Sequence, residues 1–239
     1  MVKILAIIPA RGGSKGVKNK NIRMINGKPL LAYSILSARE SQLVDEVIVT
    51  TDSPRIKSAA ERHGALVPFE RPSHVSGDNA TDFETIRHTL EQFKQAYNYY
   101  PEIIVHLRPT SPYRPKGIVD LCINLLKNSS ADSLRCVTEC TGAITPYKMW
   151  SVNNKKCLEP ILTLSDNKEP FNTPRQLLPK VYLQTGVLDV VKINTILNKK
   201  SMSGNKILSH IVDNEYALDV DDYNDLKIMR SKFKTINHE

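Results

Sequence analysis

The chain has 239 residues, 41% of them apolar and 24% charged, an ordinary globular composition that excludes the disordered and fibrous classes. No run approaches the roughly 18 consecutive apolar residues that a membrane span requires, and the length favours one α/β unit with an elaboration over two independent domains. The formal net charge of +8 is unevenly placed: residues 1 to 39 hold eight basic side chains and no acidic one, which leaves 25 basic against 25 acidic in the remainder. In chain order, Ile4–Ile8 follows Met1-Val2-Lys3 without a cleavage pattern and is expected as a buried first strand rather than a signal segment. Further strands are expected at Glu46–Thr50, Ile103–Leu107, Ser133–Val137 and Val187–Val191, several of them apolar throughout and therefore central. Between and after them, helical periodicity marks Pro29 to about Glu40, Pro54 to His63, Asp82 to Tyr97, Lys116 to Lys127 and Asp222 to Lys232. Ser53-Pro54 reads as an N-cap followed by a first-turn proline, and Lys28-Pro29 offers the proline alone.

This alternation predicts a three-layer α/β fold, a mostly parallel Rossmann-like sheet with helices on both faces. From about Gly142 to Pro179, prolines at 146, 160, 170, 174 and 179 break any long element. That stretch, about 142–180, reads as an irregular insert lying over a site or reaching a second subunit. The four cysteines, Cys122, Cys136, Cys140 and Cys157, lack C-x-x-C spacing, so reduced thiols and a cytoplasmic location are expected.

The strongest local signal is the first strand running into Pro9-Ala10-Arg11-Gly12-Gly13-Ser14-Lys15-Gly16, with Lys20-Asn21 closing the loop. Adjacent glycines let backbone N–H groups face one concavity, and the cations at 11, 15, 18 and 20 neutralise what binds there, so the segment reads as a polyphosphate cradle. Neither G-x-x-x-x-G-K-[ST] nor G-x-G-x-x-G is present, which argues against P-loop and dinucleotide enzymes. The charge excess suits a compact triphosphate. A solvated basic surface is the bland alternative, and a nucleic-acid-binding module is the non-enzyme one, although a duplex would need a basic stripe across a whole face. Near the other end, Ala217-Leu218-Asp219-Val220-Asp221 would, on a strand, present both carboxylates on one face. Such a pair suits magnesium, while a helix cap and solvated turn is the competing reading, and Asp222 is expected to cap the next helix.

The opening block from Ile8 to Gly16 with Lys20-Asn21 resembles the signature of the N-acylneuraminate cytidylyltransferases, the CMP-sialic acid synthetases. Further blocks recur in that family's order: Arg71-Pro72 with Ser76, Asp78 and Ala80; Arg108-Pro109-Thr110-Ser111-Pro112-Tyr113-Arg114; Pro146-Tyr147-Lys148-Met149-Trp150; Pro174-Arg175-Gln176-Leu177-Leu178-Pro179; and Ala217 to Asp221. The resemblance implies the nucleotide-diphospho-sugar transferase type of sheet, a dimerisation arm in the insert, and a homodimer or a dimer of dimers. It also implies CTP and a nonulosonic acid as substrates, with Mg2+ (or Mn2+) as cofactor, and neither nucleic acid nor membrane as partner.

Carried over by residue, the resemblance places CTP against Ala10, Arg11, Gly12, Gly13, Ser14, Lys15, Lys20, Asn21, Arg71 and Asp78. Arg11, Lys20 and Asp221 would be catalytic. Asp219 and Asp221 would bind metal, Asp221 more directly. Arg71 would help read the cytosine, with a loop arginine paired to a nearby acid as the alternative. The sugar's carboxylate, hydroxyls and acyl group call for cations and amides, and Arg108, Lys148, Arg175 and Gln184 are the candidates, Lys148 and Arg175 serving the neighbouring subunit through the arm. Tyr147 and Trp150 are expected as packing anchors. Two positions depart from the family's pattern: Arg108 where it often has Gln, and Thr185-Gly186 where it often has Asn-Gly. Both face the sugar in the family, so the acid stays open among N-acetylneuraminic, legionaminic-type and deaminated sugars. The sister enzymes that activate Kdo are the enzymatic alternative.

Overall fold

A computed structural model describes residues 3–141 and 144–236. The element order is β1 (Ile4–Pro9), β2 (Met24–Ile25), β3 (Lys28–Pro29), α1 (Leu30–Arg39), β4 (Glu46–Thr50), α2 (Pro54–Arg62), α3 (Asp82–Tyr97), β5 (Ile103–His106) and α4 (Ile118–Lys127). It continues with β6 (Ser133–Glu139), β7 (Trp150–Val152), β8 (Leu158–Pro160), β9 (Tyr182–Lys192), α5 (Ile193–Leu197), β10 (Ile207–Ile211) and α6 (Tyr223–Ile236). Six strands form the main sheet in the order β10-β6-β9-β5-β1-β4. Pairing is parallel at β1/β4, β1/β5 and β6/β10, and antiparallel on both sides of β9. The expected mostly parallel sheet is therefore present, with β9 reversed inside it.

Period-2 alternation along β1 explains the layers. Ile4, Ala6 and Ile8 pack on one face with Leu31 and Ile35 of α1, Ile56 of α2 and Ile123 of α4, while Leu5 and Ile7 point to the other face with Ile86, Leu90 and Phe93 of α3. A third cluster sits outside the sheet, where Leu226, Met229 and Phe233 of α6 meet Val17, Ile25, Leu30 and Val220. It fastens the carboxyl-terminal segment to the loop that follows β1.

Caps follow the sequence signals. Ser53 Oγ accepts from the Ile56 N–H at the start of α2. Thr81 and Glu84 form a reciprocal capping box on α3. Pro29 lies at the N-cap of α1 rather than inside its first turn. Several segments differ from expectation; α5 and the β2/β3 pair had no counterpart in the sequence reading. β9 runs from Tyr182, five residues before the expected start, because β6 supplies a paired ladder with a bulge between Arg135 and Val137. β10 was not expected, since its half-exposed edge position leaves only a weak apolar pattern. The prolines of the insert do not prevent a short β7/β8 hairpin and three single 3-10 turns; its expected first residues, Gly142 and Ala143, lie outside the described residues, as do Met1 and Val2.

Phe93, 1% exposed, holds Tyr97 and Tyr99 at ring-centroid distances of 4.5 and 5.5 Å. Phe93→Ala is expected to cost about 3–5 kcal/mol, read as a lowered urea midpoint with an unchanged slope; a loss below about 1 kcal/mol would mean that α3 is not packed as described.

Candidate active site

The carboxyl ends of β1 and β5, the start of α3 and the segment before α6 surround a cavity of about 390 Å³. Open α/β sheets place ligands at the carboxyl ends of their strands for topological reasons. Arg11, Ser14, Lys15, Lys20 and Asn21 reach it from the loop after β1, Arg71 and Asp78 from the segment before α3, Arg108 from the end of β5, and Asp221 from the segment before α6. Groups far apart in sequence thus share one wall, as Lys20 and Asp221 do across 201 positions.

Local chemistry shapes the loop. Ala10 is fully buried and donates its N–H to the Thr50 carbonyl, extending the β1/β4 ladder by one residue. Gly12 and Gly13 do not line the cavity. The Gly12 N–H donates to Asp52 Oδ1 at 2.8 Å, so this amide anchors the loop instead of facing the concavity. Asn21 is buried, and its side-chain amide donates to the Arg11 carbonyl at 2.9 Å, which fixes the backbone from which the Arg11 side chain projects.

Three of the loop's four cations, Arg11, Lys15 and Lys20, meet a carboxylate from elsewhere in the chain. Arg11 Nη1 is 2.9 Å from Asp78 Oδ1, Lys15 Nζ is 2.5 Å from Asp78 Oδ2, and Lys20 Nζ is 3.1 Å from Asp221 Oδ1. Hydrogen bonding from Lys15, with help from Arg11, holds the Asp78 carboxyl below the usual range. These contacts lie at the surface, where ion pairs contribute little to stability; their interest is that exchangeable partners occupy the cations. Arg71 differs from the surface-pair alternative: it is buried, and its guanidinium donates to the Val75 carbonyl and the Thr85 hydroxyl instead of to an acid. Burial lowers its pKa.

Asp219 and Asp221 are not on a strand. The segment is irregular, held by the Val220 N–H donating to the Thr110 carbonyl at 2.8 Å, and only the alternation survives, with Val220 buried between two exposed acids. Asp221 borders the cavity, whereas Asp219 accepts from the Ser111 hydroxyl above Gly186, where any side chain would collide with both groups. Asp222 caps α6, accepting from the Asn224 and Asp225 N–H groups at 2.6 and 2.9 Å. Of the sugar candidates only Arg108 lines the cavity; Lys148 and Arg175 sit in 3-10 turns of the insert, and Gln184 is exposed on β9. Tyr147 is buried, and Trp150 packs on Phe171 at 4.3 Å, as expected of anchors.

Several residues at this site escaped the sequence reading. Asp82 and Asp189 flank the Arg108 guanidinium, and His106 and Thr85 line the cavity beside it. A signal existed for two of them: His106 and Asp189 are the polar interruptions in otherwise apolar central strands, and they face each other in register across β5 and β9. Arg114 is a third. Its guanidinium donates to the Val187 and Arg108 carbonyls, tying the loop after β5 to β9, and burial lowers its pKa to about 9.

Residues 5–184 match the family profile described as cytidylyltransferase. The chain is 34% identical over 226 residues to the N-acylneuraminate cytidylyltransferase of Escherichia coli O18:K1:H7, which covers 95% of this chain but 51% of that one, so the chain spans about half the length of that relative. It is 32% identical over 230 residues to the CMP-N,N'-diacetyllegionaminic acid synthase of Campylobacter jejuni, covering 96% and 94% of the two chains. Among solved structures, a CMP:2-keto-3-deoxy-manno-octonic acid synthetase complexed with CTP superposes with a TM-score of 0.71 at 18% identity, over 98% of this chain and 99% of that one. At that identity the likeness concerns the fold. No helix among the described residues is long and apolar enough to cross a membrane.

Gly16 packs so closely on the Asp221 carbonyl that an added Cβ would fall inside van der Waals contact with it. Gly16→Ala is therefore expected to cost about 1–3 kcal/mol, the usual scale for overpacking, and to weaken triphosphate binding measured by calorimetry. Unchanged stability and affinity would show that the loop and the Asp221 segment can part freely.

Proposed function

The chain belongs to the cytidylyltransferase family, and on that premise we propose that it transfers CMP from CTP to the anomeric hydroxyl of a sialic-acid-like nonulosonic acid, releasing pyrophosphate. The observation that carries this reading is the meeting of the glycine-rich cationic loop with Asp221 in one cavity, through Gly16 and through Lys20. The acceptor class rests on the relatives named for N-acylneuraminate and for diacetyllegionaminic acid.

In this mechanism the triphosphate displaces Asp78 from Arg11 and Lys15, exchanging a surface carboxylate for a more highly charged ligand. Arg11 and Lys20 then neutralise the phosphates while Asn21 keeps the Arg11 backbone in place. The sugar's anomeric oxygen attacks the α-phosphorus in line, its bond to phosphorus forming as the bond to the pyrophosphate oxygen breaks, and the hydroxyl proton passes to solvent. Positioning and charge stabilisation carry such transfers, so no protein nucleophile is required. Ala10, Gly12 and Gly13 act by shaping the loop, Ser14 lines it, and Arg71 with its buried guanidinium contacts the base.

Mg2+ (or Mn2+) would be held by Asp221, with Asp219 supporting. The donor set fits a hard ion that takes one or two carboxylates and completes its shell with phosphate and water: Asp221 is 78% exposed at the cavity edge, and its Oδ1 already accepts one cation, Lys20. Among the described residues no cluster of three or more His, Cys, Asp or Glu would cage an ion without the nucleotide. When bound, the metal would supply charge neutralisation on the triphosphate.

The protein is proposed to work in the cytoplasm, which its free cysteines suit, and as a homodimer, with Lys148, Arg175 and Gln184 completing the sugar site. The apolar residues that the insert leaves exposed support a second copy as its partner: Val152, Leu158, Ile161 and Leu177 are 56–72% exposed.

Pyrophosphate release across a panel of nucleotides and acids, including N-acetylneuraminic, legionaminic-type, deaminated sugars and Kdo, tests the assignment; turnover with CTP and a nine-carbon acid is expected, and turnover with Kdo alone would move the chain to the eight-carbon class. Arg11→Ala is expected to lower kcat by roughly 10²- to 10³-fold, the scale for losing one preorganised charge-stabilising donor. Asp221→Asn is expected to shift the magnesium titration to higher concentration while lowering activity. An unchanged titration would remove Asp221 from the metal site.

A further inference from the structure

A second cavity, of about 750 Å³, lies between α2 and the β2/β3 hairpin, and no step of the proposed mechanism uses it. Arg55, Ser58, Ala59 and Arg62 of α2 line it at the i, i+3, i+4, i+7 spacing of a single helix face. Ile22, Met24 and Pro29 supply apolar surface, with Met24 51% exposed. His63 also lines it, its Nδ1 2.8 Å from the Ala59 carbonyl. Among the described residues no carboxylate borders this cavity. Neither guanidinium has an ion-pair or hydrogen-bond partner among them, whereas Lys57 on another face of the same helix pairs with Glu61 at 4.0 Å.

Two features separate these arginines from ordinary surface charge. Arg55 stands in the first turn of α2, where the helix dipole opposes a cation, and no first-turn acid offsets it. Native sequences keep such local costs mainly where function uses them. The 3-10 turn Lys20–Ile22 is the partition between the two cavities: Lys20 and Asn21 line the one assigned to the triphosphate, and Ile22 lines this one. The start of α2 meets the same loop, because Asp52 holds the Gly12 N–H and the Ser53 Cβ lies 3.1 Å from where a Gly12 Cβ would stand. Charge and shape narrow the ligand. Two guanidinia offset two negative charges, about what a phosphate monoester carries at pH 7 and fewer than a triphosphate brings. Ser58 stands one helical turn from each arginine, so three donors can share one group. A phosphate offers three strong acceptor oxygens to them, where a carboxylate has two. The cavity is larger than a bare phosphate needs, and its apolar surface suits an organic body.

We propose that this cavity is a second ligand site, for a phosphate monoester carried on an organic body, and that its occupant acts on the first cavity through the Lys20–Ile22 turn. Arg55 and Arg62 bind the phosphate, Ser58 donates between them, and the organic body lies against Ile22 and Met24. Contact at Ile22 is passed to Lys20 within one 3-10 turn, and the Lys20 Nζ is the group that otherwise rests 3.1 Å from Asp221. The ligand thus reaches the phosphate-binding lysine without entering its cavity. The site goes beyond the reading given above and does not depend on which sugar acid is the acceptor.

Equilibrium dialysis of the full chain against labelled CMP, a phosphate monoester on an organic body, counts the sites. The double variant Arg55→Gln/Arg62→Gln, changed at two exposed positions, is expected to bind one CMP fewer per chain than wild type, its Kd at that site raised about 10- to 100-fold, the range for losing hydrogen bonds to charged donors. Without CMP present, its kcat and KM for CTP should stay within about twofold of wild type, which also shows that it is folded. Inorganic phosphate is expected to compete at the second site roughly tenfold more weakly than CMP, because it leaves the apolar surface uncovered. At saturating CTP, which relieves competition in the first cavity, CMP should still change kcat in the wild type and leave the double variant unaffected. Equal site counts in the two proteins would overturn the site, and inorganic phosphate bound as tightly as CMP would overturn its ligand class. Inhibition by CMP that saturating CTP abolishes in full would overturn the link through the turn. Failure of the wild type to turn over CTP with any acid would strike the functional reading and leave the site count untouched, so the two failures are told apart.

Discussion

An amino-terminal segment with eight cations and no acid cannot balance itself, and the architecture follows from where its counter-charges come from. Asp45 accepts from the Lys3 and Ile4 N–H groups and holds the entry to β1. Asp52, at the end of β4, holds Gly12, Asp78 faces Arg11 and Lys15, and Asp221 faces Lys20. Every one of these carboxylates lies in a segment that must arrive from elsewhere in the chain. Asp78 and Asp221 converge on the cavity, so the cradle and these two acids are one electrostatic unit rather than two motifs that happen to be near each other.

That unit needs a rigid frame, because exchangeable surface ion pairs contribute little to stability. The frame is apolar. Val17, Ile25, Val220, Leu226 and Met229 form the small cluster outside the sheet, and Gly16 permits backbone contact with the Asp221 segment just beside it. Packing therefore sets the distance between loop and acid, leaving the charges free to change partners. Arg114 does the same for the far wall, joining the Arg108 carbonyl to β9 through a buried guanidinium.

Much of this was legible in the chain because the relevant signals are local. Apolar runs marked the five buried strands, 3.6-residue periodicity marked α1 to α4 and α6, and Ser53 and Asp222 announced their caps. The cations of the cradle were equally visible, since charge and glycine content need no tertiary knowledge. Other features depended on information that no local window holds. The edge strand β10 alternates only weakly, and the reversal of β9 is a matter of topology. Asp219 was paired with Asp221 by strand periodicity, yet the segment is irregular and Ser111 takes the Asp219 carboxylate. Asp189 and His106 carried a readable signal, a polar residue inside an apolar central strand, whose meaning emerged only once their shared register was known.

The position of β9 has an implication for how this molecule assembles. It is the sole link in the main sheet between the β10-β6 pair and the β5-β1-β4 trio, and its partners β5 and β6 both precede it in the chain. Until it inserts, the sheet is two separate ladders with open edges, each vulnerable to pairing with another molecule. Closure of that gap is a long-range pairing of the kind that slows folding. The same insertion delivers Gly186 beneath Asp219 and Asp189 beside Arg108, so closing the sheet against misassembly and bracing the Arg108 side of the cavity are a single event.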